Sequence, residues 1–401
     1  SCAGIVRMKH RGEILSIRDF GAVGDGKTLN TKAFRAAIFR IQKLRRRHGT
    51  LLYIPSGVWL TGSFNLTSHM TLFLAKNAVI KASQDTNAWP VIDPLPSYGR
   101  GRERPGGRYI SFIHGDGLED VIITGENGTI DGQGQVWWNM WRDGSLKYTR
   151  GNLVEIMNSK DVLISNIVLL NSPFWNVHPV YCSNVVIRGL TILAPADSPN
   201  TDGIDPDSSS NVCIEDCYIN NGDDMIAIKS GWDEYGIAYG RPSSNIIIRR
   251  VTGTTGFSGI AFGSETSGGI RDILVENVSI FNSGTGIRLK TNAGRGGIIQ
   301  NITISDIYLE NVRIAIKFTG DTGDHPDSQY NPQALPIVTK IAVKNVRGKN
   351  IHSVGSMDGL ERSPFLDICL ANINLQGTDS WQCSAVEGAS VGVYPQPCPQ
   401  L

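Results

Sequence analysis

An all-β solenoid, the parallel β-helix, is the fold class this sequence predicts, and three observations predict it. The first is a returning unit. From residue 118 the chain reads LEDVIITGENGTIDG, SKDVLISNIVLLNS, CSNVVIRGLTILAP, SSNVCIEDCYINNG and SSNIIIRRVTGTTG, then IRDILVENVSIFNSG, IQNITISDIYLENV and VTKIAVKNVRGKN. Each unit is a polar pair, an alternating β-branched run, a polar kink and a second short run, returning after about 23 to 41 residues. The second is that no helical stretch of 10 to 15 residues separates these runs, which excludes βαβ units. The third is a shortage of two-residue hairpin turns, which an antiparallel sandwich would need. One coil cannot bury its apolar side alone, so stacked neighbours must build a continuous core.

The elements follow in order along a chain read as one domain, 1–401. Residues 1–50 form an N-terminal segment with a cap helix over 28–47, TLNTKAFRAAIFRIQKLRRR. Ala33, Phe34, Ala37, Ile38, Ile41 and Leu44 share one face at i, i+3, i+4 spacing. Arg45, Arg46 and Arg47 sit in its last turn, where cations suit the helix dipole, and Gly49 stops it. Such a helix would cover the exposed solenoid end. The coils follow, with Asn, Asp, Ser and Gly at their corners. A Pro- and Gly-rich tail over 375–401 packs on the solenoid and carries Cys383 and Cys398, read as a disulfide. Cys213 and Cys217 lie roughly 13 Å apart at strand rise, too far to bridge each other, and read as buried thiols.

Composition narrows the function. With 401 residues, 40% of them hydrophobic, a large core is available. A net charge of +1 marks neither a whole-protein nucleic-acid binder nor an acidic tail, and no apolar run reaches the length of a bilayer span. No secretory signal stands at residue 1, as would hold for a chain from which it had been removed. Four N-x-[ST] acceptors, Asn65, Asn127, Asn277 and Asn301, suit a secreted glycoprotein. A monomer is expected.

Carboxylates concentrate in SPNTDGIDPDSSSNVCIEDCYINNGDDMIAIKSG, residues 198–231. Asp202 precedes one coil's strand and Asp223 and Asp224 precede the next, so stacking about 4.8 Å apart makes them neighbours. Alternation alone would send Asp223 and Asp224 to opposite sides, so a kink at Gly222 is required. Like charges this close raise at least one pKa, a cost that suits proton transfer. Asp205 and Asp207, in Asp-Pro-Asp-Ser, read instead as ordinary turn chemistry.

NTDG (200–203), GDD-x-IAIKSG (222–231) and R-L-K (288–290), in this order, resemble the signature of the glycoside hydrolases that include polygalacturonases. DFGAVGDGKTLNTKAF, GTIDGQGQVWW, NSPFWNVHPVYC and GIAFGSETSGG extend the likeness over nearly the whole chain. The resemblance implies a right-handed parallel β-helix and hydrolysis of α-1,4 galacturonosyl linkages in pectin with inversion. It implies Asp223 as the acid, with Asp202 and Asp224 activating water, and no cofactor or metal. Arg288 and Lys290, on one face of a strand, would grip a galacturonate carboxylate. Asn200 opens the first motif and joins them as a substrate contact, as does His178, for which a satisfied structural histidine is an equal reading. The partner is a pectic polysaccharide in the cell wall, and the GSETSGG and FWNVHP stretches lean to exo action. Trp232 and Tyr235 either stack on sugars or pack a loop; Arg100, Arg102, Arg104 and Arg108 read as a solvated loop or, as the alternative, the lining of a polyanion-binding cleft. The sequence departs from the family where a histidine is usual, at Phe257 and Ser258, and lacks a tyrosine after the R-L-K strand. These departures leave two alternatives: a weak or silent pectin-binding wall protein, or a hydrolase of a decorated or rhamnose-containing pectin.

Overall fold

The computed structural model describes residues 2–401. Its strands stack in parallel, each coil's strand pairing with the equivalent strand of the next. One stack runs Val121, Val162, Val185, Val212, Ile246, Ile273, Ile302, Ile341 and Ile368, all buried and all in register. This is the continuous apolar core that the repeated Val and Ile demand, each such side chain stabilising the fold by about 1.5–3 kcal/mol when fully buried.

The polar pairs before these residues have a backbone reason. Asp120, Asp161, Asn184, Asn211, Asn245, Asp272, Asn301 and Asp367 all adopt positive φ, and Asn and Asp tolerate that left-handed conformation best. Their amides also form a ladder: Asn184 donates to Asp161 (3.0 Å), Asn211 to Asn184 (2.7 Å) and Asn301 to Asp272 (2.6 Å). The sequon asparagine Asn301 is therefore already engaged as a corner residue.

The N-terminal helix spans Thr31–Leu44 and buries Ala33, Phe34, Ala37, Ile38 and Ile41, as its pattern predicts. It ends earlier than expected. Arg45 closes it in the left-handed conformation (φ 45°), so Arg45, Arg46 and Arg47 lie beyond the last turn, and Gly49 is not the stop. In the tail, Val386–Tyr394 pairs with Phe365–Asp379, and Cys383 bonds Cys398. Cys213 is corrected: it forms a disulfide with Cys2, a partner far away in sequence that strand spacing could not reveal. Cys217 is a buried free thiol. No helix among the described residues is long and apolar enough to cross a membrane.

A second stack positions the site. Val177, Ile204, Ile226, Ile260, Ile287 and Ile316 follow one another in register on neighbouring coils. Asp202, Asp224 and Ser258 each precede a member of this row by two residues, and Lys229 and Lys290 follow one by three.

Candidate active site

The chain bends at Gly222 and Asp223, between the strands Ser210–Asn221 and Ile226–Ile228. A Cβ on Gly222 would stand 2.1 Å from the Ser198 carbonyl, so only glycine permits this bend against the preceding coil. Asn176 and Asn221 brace the two acidic turns. Asn176 donates to the Asp202 carbonyl (3.0 Å), and Asn221 donates to the carbonyls of Thr201 (2.8 Å) and Asp224 (3.0 Å). The outcome is that carboxyl oxygens of Asp202, Asp223 and Asp224 lie within 4.8 Å of one another. They face a cleft of about 370 Å³ that Asn200, Phe174, Trp175, Trp141, Lys290 and Glu265 also line.

The three carboxyls differ in charge state. Burial, then the charges of Asp202 and Asp224, push Asp223 well above the usual carboxylate range. Burial pushes Asp224 up too, but Lys290 Nζ at 2.6 Å and the Ser258 N–H at 3.0 Å outweigh it and hold Asp224 below that range. Asp202 is raised by burial and by Asp205, against the pull of Lys229 at 3.9 Å. Asp205 is raised as well, by burial above all.

Asp205 and Asp207 are not turn residues at the surface; both are fully buried. Neither Asp205 oxygen has a donor partner in the protein, and its polar neighbour is the Asp202 carboxyl. Burial therefore pushes both groups toward the protonated form, and at Asp202 the neighbouring carboxyl adds to it. Asp207 accepts from Tyr98 (2.7 Å) and lies 2.8 Å from His178 Nε2.

His178 as a substrate contact is corrected too. Its other nitrogen lies 2.8 Å from Glu155, so both ring nitrogens are spent on buried carboxylates and none is left for a sugar. Burial opposes its charge, but Asp207 and Glu155 outweigh that and raise its pKa. The sequence could not separate the two readings because both partners come from other coils.

Asn200 reaches the cleft with its Oδ1 held by Arg150 (2.7 Å). Lys290 reaches it too, but its ammonium is paired with Asp224 rather than free. Arg288 stands in register with Ala261 and Lys317, outside the residues lining the cleft, and its Nε is buried without a protein partner. Trp232 packs under Arg102, 4.1 Å from the ring centroid, and Tyr235 donates to Asp327.

The arginine loop is not simply solvated. Arg108 is buried against Glu155 (2.7 Å), and Arg102 joins Glu265 (3.1 Å) to Asp324 (3.0 Å) at the cleft. Lys229, Glu265, Glu103, Ser264 and Asp324 are cleft residues that pattern reading missed, as is Arg150, which stands behind the lining and holds Asn200. Lys229 lies in IAIKSG and Glu265 in GSETSGG, motifs read only for other members. Around the carboxyls, the cations Lys229, Lys290 and Arg102 face Asp224 and Glu265, both held below the usual carboxylate range.

Paired carboxyls of opposite protonation in a cleft are the equipment of glycosidic bond cleavage. The comparisons agree. The profile described as glycosyl hydrolases family 28 matches residues 60–393. The chain belongs to that family. A probable polygalacturonase of Vitis vinifera is 52% identical over 397 residues, covering 98% of this chain and 81% of that protein. Among solved structures, the fold is similar to an exopolygalacturonase from Thermotoga maritima, with a TM-score of 0.84, 29% identity, and 98% and 94% of the two chains covered. It is also similar to a polygalacturonase from Erwinia carotovora, with a TM-score of 0.77, 25% identity, and 96% and 97% covered. The chain is a glycoside hydrolase on a right-handed parallel β-helix, as its motifs implied.

Proposed function

We propose that this glycoside hydrolase cleaves α-1,4 galacturonosyl linkages in pectin, with inversion, from a chain end. The carrying observation is the unequal setting of two adjacent carboxyls: Asp224 is gripped by Lys290 (2.6 Å) and the Ser258 N–H (3.0 Å), which favours its ionised form, while burial and its acidic neighbours favour the protonated form of Asp223. Asp223 gives its proton to the glycosidic oxygen as the bond from C1 breaks. Asp224 takes a proton from the water that forms the new bond to C1. Both groups then return to their starting states by exchange with solvent. Asp202, pushed toward its protonated form by burial and Asp205, orients the water rather than deprotonating it.

Several features support the finer reading. Arg288 stands two residues before cleft-lining Lys290 on the same strand, and its unpartnered Nε supports a galacturonate carboxylate seated beside that lysine as the anion the pair would hold. Exo action is supported by two segments tied together beside the cleft. Arg102 meets Asp324, Arg100 donates to the Pro326 carbonyl (2.9 Å), and Arg295 donates to the Asp324 carbonyl (2.7 Å). Carboxyl oxygens within 4.8 Å are closer than the ~6.5–9.5 Å usual in inverting enzymes. Inversion rests instead on Asp224, which is gripped by Lys290 and Ser258 as a base rather than left free as a nucleophile. A single-domain, monomeric protein of the cell wall completes the reading, and for the cell-wall placement alone the likeness to a plant polygalacturonase is support.

The test is product analysis on polygalacturonate. Monomer from the earliest time point, with the β-anomer formed first as seen by proton NMR, is the expected result. A ladder of oligomers would refute exo action, an α-anomer would refute inversion, and binding without any release would leave a pectin-binding protein.

A further inference from the structure

The near-neutral chain is electrically lopsided. Residues 1–50 hold twelve Lys and Arg against three acids, while the other 351 residues hold 26 against 34. The first stretch therefore carries +9 and the remainder −8. Folding gathers part of this charge into one patch. The Gly12 N–H meets the Gly49 carbonyl (3.0 Å) and the Thr50 N–H meets the His69 carbonyl (3.1 Å), so three separate segments converge. Lys9, Arg45, Arg46, Arg47, His48 and His69 are exposed there, and Arg45, Arg46 and His69 line a groove of about 330 Å³.

Little acid opposes them. Asp120 is mostly buried and already serves Lys9 (3.2 Å), Arg11 (2.7 Å) and His69 (3.1 Å). Glu13 meets Arg46 at 3.3 Å. Nor does the helix account for the three arginines, since it ends at Leu44 and they stand beyond its last turn. Adjacent like charges at an exposed site repel one another, and among the described residues only Arg46 of the three has an acidic partner.

We propose that this basic end is a second, non-catalytic docking surface for a polyuronate chain. It rests on the galacturonan reading of the cleft. Five strand-to-strand steps separate Thr50–Ile54 from Ser210–Asn221, roughly 24 Å at ~4.8 Å each, so one polymer can reach both. A polymer held at the basic end meets the cleft at high effective concentration, while a short oligomer cannot engage both. The attraction is between exposed charges and is screened by salt.

The experiment compares full-length Asp223→Asn with the same protein carrying Arg45→Ser, Arg46→Ser and Arg47→Ser. Binding to polygalacturonate, to fully methyl-esterified pectin and to anionic phospholipid vesicles is measured at low and high salt. The triple change should weaken polygalacturonate binding about tenfold or more at low salt, with the difference gone at high salt. Methyl-esterified pectin should bind both proteins weakly, and a triple Arg→Lys variant should restore binding. Unchanged affinity for polygalacturonate would overturn the proposal. So would loss confined to the vesicles, which would assign the surface to lipid. These readings need no turnover. Cleavage of trigalacturonate by the protein with Asp223 intact separately judges the hydrolase reading, and the arginine changes should leave it unaltered.

Discussion

Residues 198–231 and residues 298–358 are built from the same repeated unit, yet they bury opposite things. The later coils are two strands, Ile298–Thr319 and Ile337–Asp358, paired in unbroken register from Ile298↔Ile337 to Thr319↔Asp358. Their interior is Ile302, Ile304, Leu309, Ile316 and Phe318 against Ile341, Val343 and Val354. The acidic coils break the strand at Gly222 and bury Asp202, Asp205, Asp207, Asp224 and Lys229. Among the described residues, every buried side-chain polar atom without a partner lies between Trp137 and Arg295. Each such atom costs about 1–3 kcal/mol. The regular coils thus supply stability, and the irregular ones hold charge that only a reaction explains.

Substitutions in the two regions should therefore have opposite signatures. The largest effect is expected at Asp223→Asn, which keeps the shape but removes the proton and should lower kcat by about 10²–10⁴. Asp223 keeps its proton in the fold where the unfolded chain has lost it, so this group weakens folding as pH rises through that window. The variant should consequently melt no lower than the native protein near neutrality, and a calorimetric scan checks this. Next comes Arg288→Ala, expected to cost about 1.5–3 kcal/mol in kcat/KM on de-esterified substrate, the worth of a charged hydrogen bond, and much less on methyl-esterified pectin. Equal losses on both substrates would make Arg288 structural. The smallest effect belongs to the regular coils. Ile304→Val should cost about 0.5–1.5 kcal/mol in denaturant unfolding and leave the rate untouched. A fall in activity there would break the division.

The regular region was also the more legible. Val and Ile alternation revealed the stacked interior because one periodicity governs every coil, and the Asn and Asp corners follow from backbone sterics. The spacing of Asp202 and Asp223–Asp224 revealed the cluster for the same reason. What stayed hidden depended on contacts between distant segments. Glu155 and Asp207 claim His178 from neighbouring coils, Cys2 reaches Cys213 across the sequence, and the loop at 99–108 delivers Arg102 to Glu265. Asp205 looked like a turn residue because Asp-Pro-Asp-Ser is turn chemistry; here that turn is covered by the next coil. Lys229 was missed because its strand motif is apolar around it.

The central claim is that Lys290 sets Asp224 apart from Asp223. The pH dependence of kcat/KM on polygalacturonate, for the native protein and for Lys290→Met, tests it most directly. A bell is predicted, its acid limb from ionising Asp224 and its alkaline limb from deprotonating Asp223. Removing the ammonium leaves Asp224 buried without its cation, so its pKa rises and the acid limb moves to higher pH. Asp223 also loses the lowering influence of Lys290, but at longer range, so its limb should move less. The bell narrows and its height falls. An acid limb that stays in place in Lys290→Met, or a native profile with no acid limb, would contradict the assignment of acid and base.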